Sequence, residues 1–225
     1  MDGILLFNKP ILWTSHDAVD FIRRRVGQKA VGHAGTLDPL ATGLLVMLLG
    51  KATKLSQEFS ALDKEYSGAM TLGITTDTQD LEGKILRSAG FDNIEEAELL
   101  RIFAQFIGKQ MQTPPLFSAV RTKGKKLYDW TRRGVAVEPT GREIVISKLE
   151  LLNFSLPDVH FSLTCSKGTY VRALCDDVGK KLGCGATLSA LVRDRIGKFH
   201  LKDALNEEQT RKMSLAEIEK YLIRS

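Results

Sequence analysis

Between His33 and Gly43 the chain reads HAGTLDPLATG, a single carboxylate among glycines, a proline and small hydroxyl residues. An aspartate on such a loop, just before an apolar run at Leu44 to Leu49, is placed to act as a fixed carboxylate. An isolated Asp-Pro pair starts a turn equally well, so Asp38 alone decides nothing. The second feature is a charge cluster. From Arg121 to Arg133 the sequence RTKGKKLYDWTRR holds six cations (Arg121, Lys123, Lys125, Lys126, Arg132, Arg133) against one anion, Asp129. With Tyr128 and Trp130 interleaved, it offers phosphate contacts and stacking surfaces for unpaired bases. A solvated basic turn has the same composition.

Several other chemistries fail on spacing. Gly43 and Gly50-Lys51 do not make a phosphate-binding P-loop, and Ala52 stands where a magnesium-binding hydroxyl belongs. Gly183-Cys184-Gly185 begins a dinucleotide fingerprint, but position 188 is leucine and the motif follows a helix pattern. No G-x-S-x-G elbow surrounds Ser67 or Ser166. His16, His33, His160 and His200 are too scattered for a local metal motif. Cys165, Cys175 and Cys184 are an odd set without C-x-x-C spacing, which points to reduced thiols and to neither a disulfide framework nor a zinc site.

The elements that must position these residues alternate along the chain without internal repeats. Gly3 to Phe7 reads as a buried strand. Ser15 offers a helix N-cap with Asp17 in the first turn, Val19, Ile22 and Val26 follow at helical spacing, and Gly27 suits the exit. Residues 31–43 hold too much glycine, proline and threonine for regular structure and are expected as a loop leading into a strand at Leu44 to Leu49. A second helix is expected after Gly50, a strand at Tyr66 to Gly73, and a helix with Leu99, Phe103, Phe106 and Ile107 on one face. The stretch from Gln110 to Gly141, with Pro114, Pro115 and Pro139, reads as an extended insertion with a short helix near Leu127. Strands follow near Ile144 to Leu152 and His160 to Cys165, then a helix lined by Val171, Leu174, Cys175, Val178 and Leu182. Ser214 with Glu217 forms a capping box for a last helix. This order predicts an α+β fold around a mixed, mainly antiparallel sheet flanked by helices.

Composition agrees with a folded chain. The 225 residues are 43% hydrophobic and 26% charged, with 19 Gly and 6 Pro, which excludes global disorder. The formal charge is +5, from 32 Lys+Arg and 27 Asp+Glu. Six of those cations and one of those anions fall in residues 121–133, so the rest of the chain is electrically balanced. The longest apolar run, Leu44 to Leu49, is far short of the roughly 20 residues that cross a bilayer. Asp2 and the brief apolar stretch after it do not make a signal peptide.

Four blocks in order resemble a known family, the bacterial tRNA pseudouridine-55 synthases of the TruB type. They are GILLFNKP from Gly3 with Trp13-Thr14-Ser15, GHAGTLDPLATGLLVMLLGKATK from Gly32 to Lys54, KEYSGAMTLGITTDTQD from Lys64 to Asp80 with Gly83, and SKGTYVRALCDDVGKKLGCGATLSALVR from Ser166 to Arg193. With the TPPLFSAVRTKGKKLYDWTRRG insertion they cover most of residues 3–200. The second and fourth blocks are the specific ones. The resemblance implies an isomerase that converts uridine to pseudouridine at position 55, in the T-loop of tRNA, using no cofactor and no metal, on a base flipped out of its stack.

Residue by residue, the resemblance implies that Asp38 is the catalytic carboxylate, that Tyr66 stacks on the target base and that Arg172 pairs with Asp38. It further implies that His33 stacks on a displaced base pair, that Tyr170 and Leu191 line the pocket and that Lys54 contacts phosphate. Arg121, Lys123, Lys125 and Lys126 would grip the RNA. Spacing alone leaves Arg172 as a helical partner of Asp176, Tyr66 as a strand aromatic, His33 as a turn residue and Leu191 as core.

Two departures stand out. Leu12 occupies a position where the family often has glycine, so a different turn is expected after Pro10. About 30 residues follow the fourth block, too few for the small C-terminal RNA-binding PUA domain common in the family. The expectation is therefore a single catalytic domain over residues 1–225, with an RNA-binding insertion at about 110–141. It would be a cytoplasmic monomer whose partner is the tRNA T-arm, with no membrane and no obligate protein partner. A tRNA-folding role beside or instead of catalysis, and a synthase guided by RNA or directed at mRNA or rRNA, are the other readings.

Overall fold

The computed structural model of the chain describes residues 1–118, 121–122, 125–126 and 139–224. In chain order the elements begin with β1 (Gly3–Lys9), α1 (Ser15–Val26), β2 (Val31–Ala34) and β3 (Ala41–Leu49), then a 3-10 turn (Gly50–Leu55) and α2 (Ser56–Ser60). Next come β4 (Lys64–Leu72), β5 (Ile74–Thr76), β6 (Ile85–Ser88), α3 (Glu96–Gln105), β7 (Gly108–Gln112), β8 (Arg121–Thr122) and β9 (Lys125–Lys126). The chain continues through β10 (Arg142–Ser155), β11 (Asp158–Cys165), α4 (Val171–Leu182), β12 (Ala186–Ile196) and β13 (Phe199–His200). It finishes with α5 (Glu207–Lys212) and α6 (Leu215–Lys220). The fold is α+β with a mixed, mainly antiparallel sheet, as the order of patterns predicts. Among its pairings, β12 runs parallel to β3. No helix among the described residues is long and apolar enough to cross a membrane.

The chain forms two compact units, one of residues 1–67 with 191–225 and one of residues 68–190. In the first, the strand order is β1-β3-β12-β4, with β2 also paired to β3. Its sheet is buried on both faces, which is why Leu44 to Leu49 is a continuous apolar run instead of an alternating one. Leu5, Phe7, Leu45, Met47 and Leu49 pack on Val19, Phe21, Ile22 and Val26 of α1, together with Leu205 and Ile218. Ile4, Leu6, Leu44, Val46 and Leu48 pack on the other side with Phe59, Ile196 and Phe199. Each such side chain contributes about 1.5–3 kcal/mol of hydrophobic burial. In the second unit, β11, β10 and β7 run antiparallel in that order, and α3 packs on α4 and β10. The predicted stripe Val171, Leu174, Cys175, Val178 and Leu182 is buried throughout.

Several expectations need correction. The N-cap of α1 is Thr14, whose side chain accepts from the Asp17 N–H while the Asp17 carboxylate accepts from Thr14 N–H. Ser15 is the first helical residue and turns inward. Residues 31–43 are not one loop: residues 31–34 form β2, paired with β3 from Val31↔Leu49 to Ala34↔Val46, and β3 starts at Ala41. The irregular part is only residues 35–40. Ile107 is exposed, because α3 ends at Gln105 and Gly108 at φ 102 turns the chain away. The strand near Ile144 to Leu152 extends from Arg142 to Ser155. The short helix expected near Leu127 lies outside the described residues. The turn after Pro10 places Leu12 at φ 67 with its side chain 74% exposed, a left-handed conformation that glycine adopts at less cost. The predicted Ser214/Glu217 capping box is present at the start of α6.

Candidate active site

In the first unit, Asp38 sits on residues 35–40, the short link between β2 and β3, and its neighbours hold the link at successive points. The Ser15 hydroxyl accepts from the Leu37 N–H at 2.8 Å and donates to the Leu37 carbonyl at 3.1 Å. Leu12 N–H donates to the Pro39 carbonyl at 2.9 Å, and Ala41 N–H to the Asp38 carbonyl at 3.1 Å. Leu37 is itself buried. The inward turn of Ser15 and the left-handed Leu12 thus serve the same end, a backbone at Asp38 with its neighbours tied down. A loop of glycine, threonine and proline has little intrinsic rigidity, so these contacts supply it.

The remaining restraint is Arg193 on β12, only 1% exposed. Its Nη2 donates to the Gly35 carbonyl at 2.8 Å, Nη1 to the Thr36 carbonyl at 3.3 Å and Nε to the Leu44 carbonyl at 2.8 Å. Burial pushes its proton affinity below the usual guanidinium range, while the Tyr66 hydroxyl, a hydrogen-bonding neighbour, and the Asp38 charge act in the opposite direction. Arginine remains charged under such opposing shifts. Gly43 is the residue that lets Arg193 in. It lies opposite Arg193 in the parallel β3/β12 register, and a Cβ there would meet the Arg193 carbonyl oxygen at 2.5 Å and its nitrogen at 2.6 Å.

Tyr66 lies on β4 with its side chain buried. The flanking residues fasten that strand segment to β12, Ser67 Oγ to the Asp194 carboxylate at 2.7 Å and Glu65 to Arg195 as an ion pair. Leu191 is also buried, next to Ala41 in the β12/β3 register. His33, on β2, is half-buried, with its Nδ1 enclosed and without a hydrogen-bond partner. Burial first, then the charges of Arg193 and His16, lower its proton affinity, so the ring is neutral near pH 7 and suited to stacking. Lys54 is exposed on the 3-10 turn.

In the second unit, Arg172 is the second residue of α4 and is 5% exposed. It is not the surface partner of Asp176. Its Nη1 donates to the Thr78 carbonyl at 2.9 Å and lies 3.3 Å from the Asp80 carboxylate, and its Nη2 donates to the Phe117 carbonyl at 3.2 Å. Asp80, 3% exposed, also accepts from Thr78 Oγ1 and from Glu82 N–H. Asp176 instead takes Lys180 at 2.6 Å and Gln79 Nε2 at 2.9 Å. Tyr170 precedes α4 and is clamped by the buried Gln112 amide, which accepts from Tyr170 N–H at 2.8 Å and donates to its carbonyl at 3.0 Å. The Arg142 guanidinium lies over its ring, 4.7 Å from the centroid, a favourable cation–π arrangement. Gly168 at φ 81 lets the turn rest on Arg142, whose Nη1 would be 3.2 Å from an added Cβ.

The structure therefore brings Asp38, Tyr66, Leu191, His33 and Lys54 into one unit, while Arg172 and Tyr170 belong to the other. The backbones of Arg121–Thr122 and Lys125–Lys126 form an antiparallel pair. The side chains of Arg121, Lys125 and Lys126, and all of Lys123, lie outside the described residues. Sequence reasoning missed Arg193, Asp80, Gln112 and Arg142 as supports. The buried thiol of Cys175 is pushed far up in pKa by desolvation and is chemically quiet. Among the described residues no group of His, Cys, Asp or Glu is arranged to hold a metal ion.

The fold has counterparts among solved structures. A chain of a Cbf5-Nop10-Gar1 complex matches with TM-score 0.72 and 28% identity over 92% of this chain and 52% of that one. A chain of an H/ACA RNP bound to a substrate RNA containing 2'-deoxyuridine matches with TM-score 0.69 and 26% identity over 92% and 51%. The chain thus spans about half the length of each of those solved chains, and its α+β core is that of the pseudouridine synthases. The family model "TruB family pseudouridylate synthase (N terminal domain)" matches residues 23–171, and "tRNA pseudouridylate synthase B C-terminal domain" matches residues 172–224. The tRNA pseudouridine synthase B of Opitutus terrae is 48% identical over 99% of this chain and 92% of its own length. That of Burkholderia mallei is 45% identical over 91% and 68%, and that of Clostridium tetani 42% over 96% and 75%. The chain belongs to the TruB family of pseudouridylate synthases, enzymes of the isomerase class.

Proposed function

We propose that the chain isomerises uridine to pseudouridine at position 55, in the T-loop of tRNA. The observation that carries this reading is the Asp38 loop, a half-exposed carboxylate on a short backbone link held by Ser15, Leu12 and Arg193. A reaction that detaches a base and rejoins it needs a reactive group that keeps its place while the substrate moves, and a tied loop provides one. The names of the relatives support tRNA as the substrate.

In the proposed mechanism the target uridine flips out of its stack and its base lies on Tyr66, with Tyr170 and Leu191 completing the pocket. His33, neutral near pH 7, stacks on the displaced pair, and Lys54 with Arg121, Lys123, Lys125 and Lys126 meets the phosphates. Asp38, with Arg172 as its assigned partner, attacks the uracil ring or ribose C1′. The C1′–N1 bond breaks, the base turns, a C1′–C5 bond forms, and the bond to Asp38 breaks, restoring the carboxylate. The C5 proton leaves and N1 gains one, so substrate and product are isomers and no cofactor or metal is consumed. The same grip on the T-arm would let the protein assist tRNA folding. This reading takes residues 1–225 as one catalytic domain, acting as a cytoplasmic monomer with no obligate protein partner.

The test is incubation of the purified protein with an unmodified tRNA transcript and no added cofactor, followed by carbodiimide mapping of pseudouridine. Product at the T-loop uridine is the expected result. Binding without product there would overturn the reading.

A further inference from the structure

We propose that Arg193 is a positioning residue for the isomerisation, tying the Asp38 loop and Tyr66 to one buried guanidinium so that carboxylate and ring keep their spacing when RNA enters. This inference rests on the function proposed above and adds a component to that site. Three observations carry it.

Arg193 bonds carbonyls on both sides of Asp38, those of Gly35 and Thr36 before it and that of Leu44 after it. One planar group therefore closes the mouth of the loop. Arginine alone has the donors for that: its five N–H groups are fixed in one plane, whereas a lysine ammonium is a point charge with three donors.

The second observation is charge. A fully buried cation is costly unless its donors are satisfied, and here backbone carbonyls satisfy them. The acidic groups that sense its charge are Tyr66 and Asp38, the two residues assigned to stack on the base and to attack. The third is the backbone. Gly43 lacks the Cβ that would strike the Arg193 main chain, and Gly35, whose carbonyl accepts from Nη2, sits at φ 80, a conformation that favours glycine. One glycine of the HAGTLDPLATG segment thus makes space for the arginine, and another shapes the turn that it holds.

The experiment compares wild type, Arg193→Lys and Arg193→Ala, each alone and with Tyr66→Phe. It measures single-turnover pseudouridine formation on a tRNA transcript, tRNA affinity by filter binding, and thermal unfolding. Loss of the guanidinium is expected to slow turnover about 100-fold, the effect of an ångström-scale misplacement, while tRNA affinity stays within about threefold. Millimolar guanidinium is expected to restore part of the Arg193→Ala rate, and Tyr66→Phe to slow that variant less than it slows wild type, since the two residues act through one contact.

Turnover within about threefold of wild type would overturn the proposal. So would a rate loss explained by lost affinity, full additivity with Tyr66→Phe combined with no guanidinium rescue, or unfolding of both single variants, which would make Arg193 a stability element only. Absence of product from wild type is a separate result, which overturns the functional reading and this inference with it.

Discussion

Replacing Gly43 by alanine adds one methyl group where β3 and β12 run side by side, and the structure sets the size of the effect. The new Cβ would lie 2.5 Å from the Arg193 carbonyl oxygen and 2.6 Å from its nitrogen. Ordinary van der Waals contact begins near 3.4 Å, so the strands must separate by about 0.9 Å to accept it. Both obstacles are backbone atoms, which no rotamer change can move aside. Residue 43 also sits at φ 101, a conformation that costs a residue with a side chain about 1–3 kcal/mol, and overpacking adds about 1–3 kcal/mol. The expected loss of stability is therefore about 2–6 kcal/mol, read as a lower urea midpoint at unchanged slope. Because Arg193 holds the Gly35 and Thr36 carbonyls, the shift passes to the Asp38 loop, and residual folded protein should turn over about 100-fold more slowly. A Gly43→Ala protein less than about 1 kcal/mol destabilised and fully active would refute the close-approach argument and the coupling of Arg193 to the loop.

Three other expectations follow from named contacts. Asp80→Asn removes the buried carboxylate 3.3 Å from the Arg172 guanidinium and is expected to cost about 3–5 kcal/mol in denaturant unfolding; an unchanged midpoint would contradict the ion pair. Leu12→Gly relieves a left-handed residue whose side chain is 74% exposed, so a gain of about 0.5–1 kcal/mol in the same measurement is expected after the entropy of glycine is set against about 1–2 kcal/mol of strain; a loss would contradict that. Neutralising Arg121, Lys123, Lys125 and Lys126 should weaken tRNA binding and reduce the slope of log affinity against log salt by about 0.7 for each phosphate contact removed; an unchanged slope would make the cluster a solvated turn.

What the sequence revealed and what it concealed divide along physical lines. The face of α4 was legible because Val171, Leu174, Cys175, Val178 and Leu182 repeat at helical spacing, and all five are buried. The start of α1 was misplaced by one residue because Thr14 and Ser15 are adjacent hydroxyls; the spacing of Thr14 to Asp17, a capping-box interval, is the signal that separates them. β2 was hidden because Val31–Ala34 is short and carries a glycine and a histidine, and its strand character comes from pairing with β3.

The family blocks single out Asp38 and Tyr66, but not what holds them. Arg193 sits in LVRDRI, where an arginine in a strand looks like a solvent-facing residue, and nothing local says that three carbonyls surround it. The Arg172–Asp80 pair is likewise formed by tertiary contact, and helical spacing pointed to Asp176 instead. Gly43 carried the most usable hint, a glycine at the entrance to an otherwise apolar strand, which marks close backbone approach.

The measurement that bears most directly on the central claim is turnover against binding for Asp38→Asn, on an unmodified tRNA transcript with carbodiimide mapping at the T-loop. The account predicts that this variant keeps tRNA affinity close to wild type and forms no pseudouridine, since the loop contacts at Leu37, Pro39 and Gly35 are backbone contacts that the change leaves in place. Substantial turnover by Asp38→Asn would contradict it.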